Sequence, residues 1–262
     1  MLQIIVCGAC GRMGKKVIDA VFQEKETKLI GAIEAPNHPS IGKVIKGIEL
    51  TSNLERIIQK DAVIIEFTTP KASINHLNIA EKRGTPIVIG TTGFTEEEEA
   101  KIKESSLNIP ILLSPNMSIG INLLFNLIGE ITYLLGKDFD KEIIEFHHRH
   151  KKDAPSGTAK KFAQIIAEAE GKRLSEVGVY GRKGKIGERS KEEIGIHAVR
   201  GGTIVGEHKI IFAGNEEELE ITHRAESRYI FAQGALFGAK FIAKQKNGFY
   251  TLRDALKVRR EK

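Results

Sequence analysis

Ile4-Ile5-Val6-Cys7-Gly8-Ala9-Cys10-Gly11-Arg12-Met13-Gly14 decides the fold. A short, continuous aliphatic run reaches glycines spaced G-x-x-G-x-x-G, and Arg12–Phe22 then follows as an amphipathic helical stretch. Glycines at such a junction let the backbone turn sharply and approach a ligand closely. The helix behind them offers unpaired N–H groups and the positive end of its dipole, which suits a pyrophosphate. Glu34 ends the next apolar run, Leu29–Ile33, 20 residues after Gly14, where an acid accepts hydrogen bonds from ribose hydroxyls. Glycines that merely turn a corner and a solvated acid at a strand end give the same letters. Strand, glycine loop, helix, strand and acid in that order favour the dinucleotide reading.

Outward from that core the alternation continues. Ala62–Phe67, Ile87–Ile89 and Ile111–Leu113 are further short runs rich in Ile, Val and Leu, and Leu54–Gln59, Ala72–Lys82 and Glu96–Glu104 read as helices. Continuous apolar strands alternating with helices predict a parallel sheet covered on both faces. Gly90-Thr91-Thr92 and Ser114-Pro115-Asn116-Met117 follow the last two runs, at the strand ends where open α/β sheets take ligands, and are expected to line a nicotinamide. The second half changes character. A helix at Ile121–Leu135 and a run at Lys141–His148 precede a helix near Thr158–Glu170 and closely spaced runs at Ile194–Val199, Thr203–Phe212 and Leu219–His223. These predict a mixed or antiparallel sheet in a second, smaller domain. Tyr229–Ala243 returns to helix, with Ala232, Gly234, Ala235, Gly238 and Ala239 permitting close packing.

Composition narrows the class. With 262 residues, 41% hydrophobic, 6% aromatic and no Trp, the chain suits one large or two medium domains with an aliphatic core. Met1–Val6 reads as a first strand rather than a signal peptide, and no uninterrupted apolar stretch spans a bilayer. Two cysteines make no disulfide framework, so the cytosol is the expected compartment. The net charge of +6 is spread along the chain without a basic block interleaved with aromatics, so it fits small anionic ligands rather than nucleic acid. Cys7 and Cys10 form C-x-x-C, but one falls inside an apolar strand and the other among loop glycines. Neither a redox dithiol nor a metal site is expected from them.

The chemistry concentrates in Glu145-Phe146-His147-His148-Arg149-His150-Lys151-Lys152-Asp153-Ala154-Pro155-Ser156-Gly157-Thr158-Ala159. Pro155 ahead of Ser156 predicts a helix start capped by Ser156. The amides of Gly157 and Thr158 would then face His147, His148 and Lys151, a carboxylate receptor beside groups that move protons. A metal site is disfavoured because neighbours on a strand diverge and no third spaced ligand follows. A solvated basic loop is the remaining alternative. The convergence of helix start and cations favours acid–base chemistry on an anion.

Together, Gly8–Gly14, Gly90-Thr-Thr-Gly-Phe94 and above all Glu145–Ala159 resemble the 4-hydroxy-tetrahydrodipicolinate (dihydrodipicolinate) reductase family over the whole chain. The resemblance implies an α/β fold: a Rossmann-like parallel sheet domain, 1–118 with 228–262, plus an α+β domain with a mixed, largely antiparallel sheet, 119–227. It implies a cytoplasmic enzyme of the diaminopimelate route to lysine, a homotetramer, reducing a small cyclic dicarboxylate with NADH or NADPH. His147 would be the proton donor and acceptor and Lys151 a second proton donor, with His148, Gly157 and Thr158 binding substrate. Gly8, Ala9, Cys10, Gly11, Arg12, Met13, Glu34, Gly90, Thr91, Thr92, Ser114, Pro115, Asn116 and Met117 would contact the cofactor, and no metal is implied. In many relatives an arginine follows the ribose-binding acid. Here Ala35 does, so NADH is expected to be preferred or equal, with His38, Lys43 or Lys46 as compensating groups. Another two-domain imino-acid reductase, or a nucleotide-sensing regulatory protein, are the competing readings. A sensor has no need of His147 and Lys151 beside a helix start.

Overall fold

β1 (Leu2–Cys7) lies inside an eight-stranded sheet and turns at Gly8 into α1 (Arg12–Gln23), which leads to β2 (Thr27–Ile33). The structure, a computed structural model, describes residues 1–260. The chain continues through β3 (Val44–Ile45), β4 (Ile48–Thr51), α2 (Leu54–Ile57), β5 (Ala62–Glu66), α3 (Pro70–Arg83), β6 (Ile87–Ile89), α4 (Glu96–Ser105) and β7 (Pro110–Leu113). Next come α5 (Ile119–Leu135), β8 (Asp140–His147), α6 (Gly157–Ala169), α7 (Leu174–Val177), β9 (Gly178–Tyr180), β10 (Ile194–Arg200), β11 (Gly206–Ala213) and β12 (Glu218–Ala225). α8 (Tyr229–Ile242), β13 (Gly248–Tyr250) and α9 (Leu252–Arg260) close the described chain.

Two compact units result: Met1–Ile119 with the chain from Arg228 on, and Gly120–Ser227. The expected tail segment runs to 262, and its last two residues lie outside the described ones.

In the first unit the strand order is β13-β7-β6-β5-β1-β2-β4-β3, parallel throughout except for the β3–β4 hairpin. Ile4, Ile5, Val6 and Cys7 are all fully buried. Their alternation explains the unbroken apolar run. Ile4 and Val6 pack with Val17 and Val21 of α1 and Ala235 of α8, while Ile5 and Cys7 pack with Leu77 of α3 and Ile102 of α4. A strand covered on both faces has no polar side to show. The small residues of α8 serve close approach: a Cβ on Gly234 would sit 1.6 Å from the Met117 carbonyl oxygen.

In the second unit the order is β12-β11-β8-β10-β9. β8 pairs antiparallel with β11 and parallel with β10, and the remaining pairings repeat that split, β11–β12 antiparallel and β9–β10 parallel. The parallel half follows from the crossover through α6, which returns the chain to the same sheet in the same direction. α6 covers one face, where Phe162 and Ile166 meet Ile143, Ile196 and Ile210. Gly202 and Thr203 form a turn before β11, so the expected strand from Thr203 begins only at Gly206.

α5 with the three residues after it, Ile119–Asp138, is long and apolar enough by length and composition to cross a membrane, with a mean hydropathy of 1.4. The expectation of no spanning stretch passed over it because Asn122, Asn126 and Glu130 interrupt the run. One side buries Ile121, Phe125 and Ile128, and Leu123, Leu127 and Leu134 are exposed.

Candidate active site

The glycine loop is shaped by contacts that leave no room for a side chain. Gly8 has φ of +78°, and a Cβ there would lie 2.3 Å from the Phe67 carbonyl oxygen. A Cβ on Gly14 would lie 2.0 Å from the Gly8 carbonyl oxygen, so α1 can start against the loop only with glycine at that position. The Gly8 and Ala9 amides donate to the Ile33 carbonyl at 2.9 and 3.0 Å, and Gly11 donates back to Gly8 at 2.9 Å. The Cys10 amide donates to Glu34 Oε2 at 2.9 Å, and the Ala35 amide to Glu34 Oε1 at 3.0 Å. Glu34 is therefore locked to the loop by backbone, and a carboxylate in that state keeps lone pairs for further donors. Arg12 and Met13 carry the first-turn amides of α1, which lack intrahelical acceptors by the geometry of any helix.

A cavity of about 510 Å³ opens here, lined among others by Gly8, Cys10, Gly11, Glu34, Thr68 and His76. His38 lines it too, whereas the Lys46 ammonium lies over the Phe22 ring, 5.2 Å from its centroid. Of the other expected cofactor residues, Ala9, Thr91, Ser114 and Met117 are buried, while Thr92 and Pro115 are exposed. Ser114 Oγ donates to the Asn116 carbonyl at 2.7 Å, fixing the turn after β7.

A second network beneath this cavity was not foreseen. Glu66, fully buried at the end of β5, accepts from Thr68 Oγ1, from Ser73 Oγ at 3.2 Å and pairs with His76 Nδ1 at 2.7 Å. Thr91 Oγ1 accepts from the Thr68 amide at 3.1 Å and from Ser73 Oγ at 2.8 Å. Thr91 thus points inward, tying the Gly90–Thr92 loop to the loop after β5. Gly90 is required beside it, since a Cβ would meet the Phe67 ring at 2.2 Å. Cys7, Glu66 and His76 place ligand-type atoms within 4.8 Å of one another, but the carboxylate is already filled by hydrogen-bond donors. Only the acid at a strand end hinted at this network.

In the second unit, Glu145 is the organising group. It is fully buried on β8, and four donors converge on its two oxygens. Arg200 forks onto both oxygens at 2.8 and 2.7 Å, His147 Nδ1 meets Oε2 at 2.5 Å, and the Ser156 amide donates to Oε1 at 3.0 Å. Burial alone would push this carboxyl's pKa up. The bonds from His147, Arg200 and the Ser156 amide outweigh it and hold the group at about 2. One carboxylate therefore fixes both the imidazole of His147 and the start of α6. Ser156 is the cap, as predicted, its Oγ accepting from the Ala159 amide at 3.2 Å.

Arg200 was missed because it lies 55 positions from Glu145. Sheet register brings it in: Arg200 of β10 sits beside His147 of β8. His208 lies still further along the chain, and β11 sets it opposite Glu145. On the other side of His147, a Cβ on Gly206 would come within 3.1 Å of Nε2, so glycine there leaves the ring its space. His148 falls just past the end of β8, and Lys151 Nζ pairs with the exposed Asp153 carboxylate at 2.9 Å. Gly157 and Thr158 open α6. A half-buried imidazole on a buried carboxylate, beside a helix start and a half-buried ammonium, can hold an anion and deliver protons to it.

Two family models match: "Dihydrodipicolinate reductase, N-terminus" over residues 2–117 and "Dihydrodipicolinate reductase, C-terminus" over residues 120–256. The chain is 48% identical to the 4-hydroxy-tetrahydrodipicolinate reductase of Syntrophus aciditrophicus (strain SB), covering 99% of this chain and 100% of that protein. It is 43% identical to the enzyme of the same name from Geobacter sp. (strain M21), with the same coverage. Among solved structures, dipicolinate-bound dihydrodipicolinate reductase from Paenisporosarcina sp. TG-14 aligns with a TM-score of 0.75 at 27% identity, over 97% of this chain and 99% of that one.

Proposed function

The chain belongs to the dihydrodipicolinate reductase family, and from that premise we propose that it is an oxidoreductase reducing 4-hydroxy-tetrahydrodipicolinate to tetrahydrodipicolinate with a pyridine nucleotide, in the diaminopimelate route to lysine. The observation that carries the reading is Glu145, which holds His147 and the α6 start on one buried carboxylate.

When bound, a reduced nicotinamide supplies the hydride. Glu34, already turned by two backbone amides, takes the adenosine ribose. The amides of Arg12 and Met13 take the pyrophosphate beside Gly8, Cys10 and Gly11. The turns at Gly90–Thr92 and Ser114–Met117 line the nicotinamide. In the second unit, the α6 amides of Gly157 and Thr158, with His148, hold a ring carboxylate and so orient the reacting carbon.

Loss of water from the hydroxylated ring leaves a conjugated C=C–C=N system, and hydride addition at its far carbon drives negative charge toward the ring nitrogen. Lys151 exchanges its exposed partner Asp153 for that nitrogen and stabilises the charge. The resulting enamine then takes up a proton from His147, whose Nδ1 is committed to Glu145 and which donates through Nε2, or from Lys151.

NADH serves as well as or better than NADPH. Ala35 offers no cationic fork after Glu34, and of the compensating groups only His38 lines the cavity. The protein works in the cytoplasm as a homotetramer, without nucleic acid or membrane as partner. The sheet face opposite α6, where Ile144, Phe146 and Ile211 are only half-buried and Val199 is exposed, supplies the contact. An assay that generates the labile substrate in situ with the preceding synthase tests the reading. NADH and NADPH oxidation should both depend on that substrate, with NADH at least equal in kcat/KM. No substrate-dependent oxidation would end the reading, and strong NADPH preference would refute the cofactor assignment.

A further inference from the structure

We infer that His208 is a positioning residue: its imidazole holds the Ser156 hydroxyl, and through it keeps the first turn of α6 in place beside His147. The inference rests on the proposed role of that turn as the carboxylate receptor.

His208 is 4% exposed on the inner face of β11, with Nε2 3.1 Å from Ser156 Oγ. Its ring stands edge-on to His147, centroids 5.3 Å apart. The Phe162 ring lies tilted against it, with ring centroids 6.2 Å apart. Nδ1 has no hydrogen-bond partner among the described residues. A site that only needed filling would be better served by an apolar ring, because a buried polar atom without a partner costs free energy. The contact that offsets this cost is the one to Ser156.

Ser156 then becomes a junction. Its amide donates to Glu145, its Oγ accepts from Ala159, and the same Oγ meets His208. Three elements, β8, β11 and α6, are fixed to one residue immediately ahead of Gly157 and Thr158. Burial, and then the nearby His147, hold the His208 pKa down to about 3. His208 therefore stays neutral at neutral pH and adds no second cation behind His147. Spacing in sequence could not reveal this, because 52 residues separate His208 from Ser156.

Steady-state kinetics of the full chain in the coupled assay test the inference. His208→Asn draws the polar group back from Ser156 and should raise KM for the cyclic substrate about tenfold, with KM for NADH unchanged. His208→Gln, whose amide reaches the Nε2 position, should stay within about threefold of wild type. Ser156→Ala alone should raise KM about as much as His208→Asn, and adding His208→Asn to it should change KM by less than about twofold. If His208→Asn fails to fold, His208→Gln and Ser156→Ala still decide. A KM unmoved by His208→Asn or by Ser156→Ala overturns the inference, as does equal damage by Asn and Gln or full additivity with Ser156→Ala. Lys151→Ala separates the two levels. If it leaves turnover intact, the reading of the site has failed; if it abolishes turnover while His208→Asn is silent, only this inference has failed.

Discussion

The two halves of the chemistry are built from different materials. Around Gly8–Gly14 the site is backbone: Gly8 and Gly14 lie where no Cβ fits, and Glu34 is held by the amides of Cys10 and Ala35. Around His147 it is side chain: a fully buried carboxylate with a guanidinium fork, an imidazole and a cap amide upon it. A backbone site tolerates exchange of most neighbouring side chains but no added carbon at its glycines. A buried charge network tolerates added volume better than it tolerates the loss of one partner. The two sites should therefore fail under opposite kinds of substitution.

The widest difference should come from Arg200→Met, which strands Glu145 in the interior. Breaking such a pair costs about 3–5 kcal/mol. Calorimetry should show the second unit's transition falling while NADH still binds the first; an unchanged melting profile would mean that the network is not what holds β8 to β10. Next is Gly14→Ala, whose Cβ would meet the Gly8 carbonyl at 2.0 Å. NADH affinity, read by fluorescence titration, should fall at least about tenfold, with the second unit's stability untouched.

Acid sharpens the same contrast. His208 has a depressed pKa, about 3 against an ordinary 6.5, so the unfolded chain binds the extra proton first and stability falls as pH drops from 6.5 toward 3. Glu142 and Glu145 lie at about 2 against 4.5. For Glu142 burial raises the pKa, and Arg182, His197 and Arg189 outweigh it. Their contribution is complete above 4.5 and is lost as pH falls toward 2. All three groups sit in the second unit, so its transition should move down first in scans at pH 7, 5 and 3. Acid loss beginning in the first unit would contradict this. The smallest effect is expected for Gly206→Ala, where the new Cβ approaches His147 Nε2 to 3.1 Å. A shift of a few tenths of an ångström in the ring should cost about fivefold in kcat with KM for NADH unchanged.

The contrast also explains what was legible in the sequence. The glycine loop and Glu34 declare themselves because close backbone approach demands glycine at fixed local spacing. His147, Lys151 and the Ser156 cap lie within one segment and could be read together. Arg200, Gly206 and His208 could not, because only sheet register carries them to β8. The Glu66 network stayed hidden because Ser73 and His76 read as ordinary residues of an amphipathic helix. The hairpin of β3 and β4 and the edge strand β13 are two to four residues long, too short for a period to show.

Lys151→Ala probes the centre of the proposal most directly, measured as turnover in the coupled assay alongside the dissociation constant for NADH. We expect kcat to fall by about 100-fold or more while NADH binds as before. Turnover within tenfold of wild type, or a loss explained by weakened NADH binding, would contradict a proton-donating cation at this position.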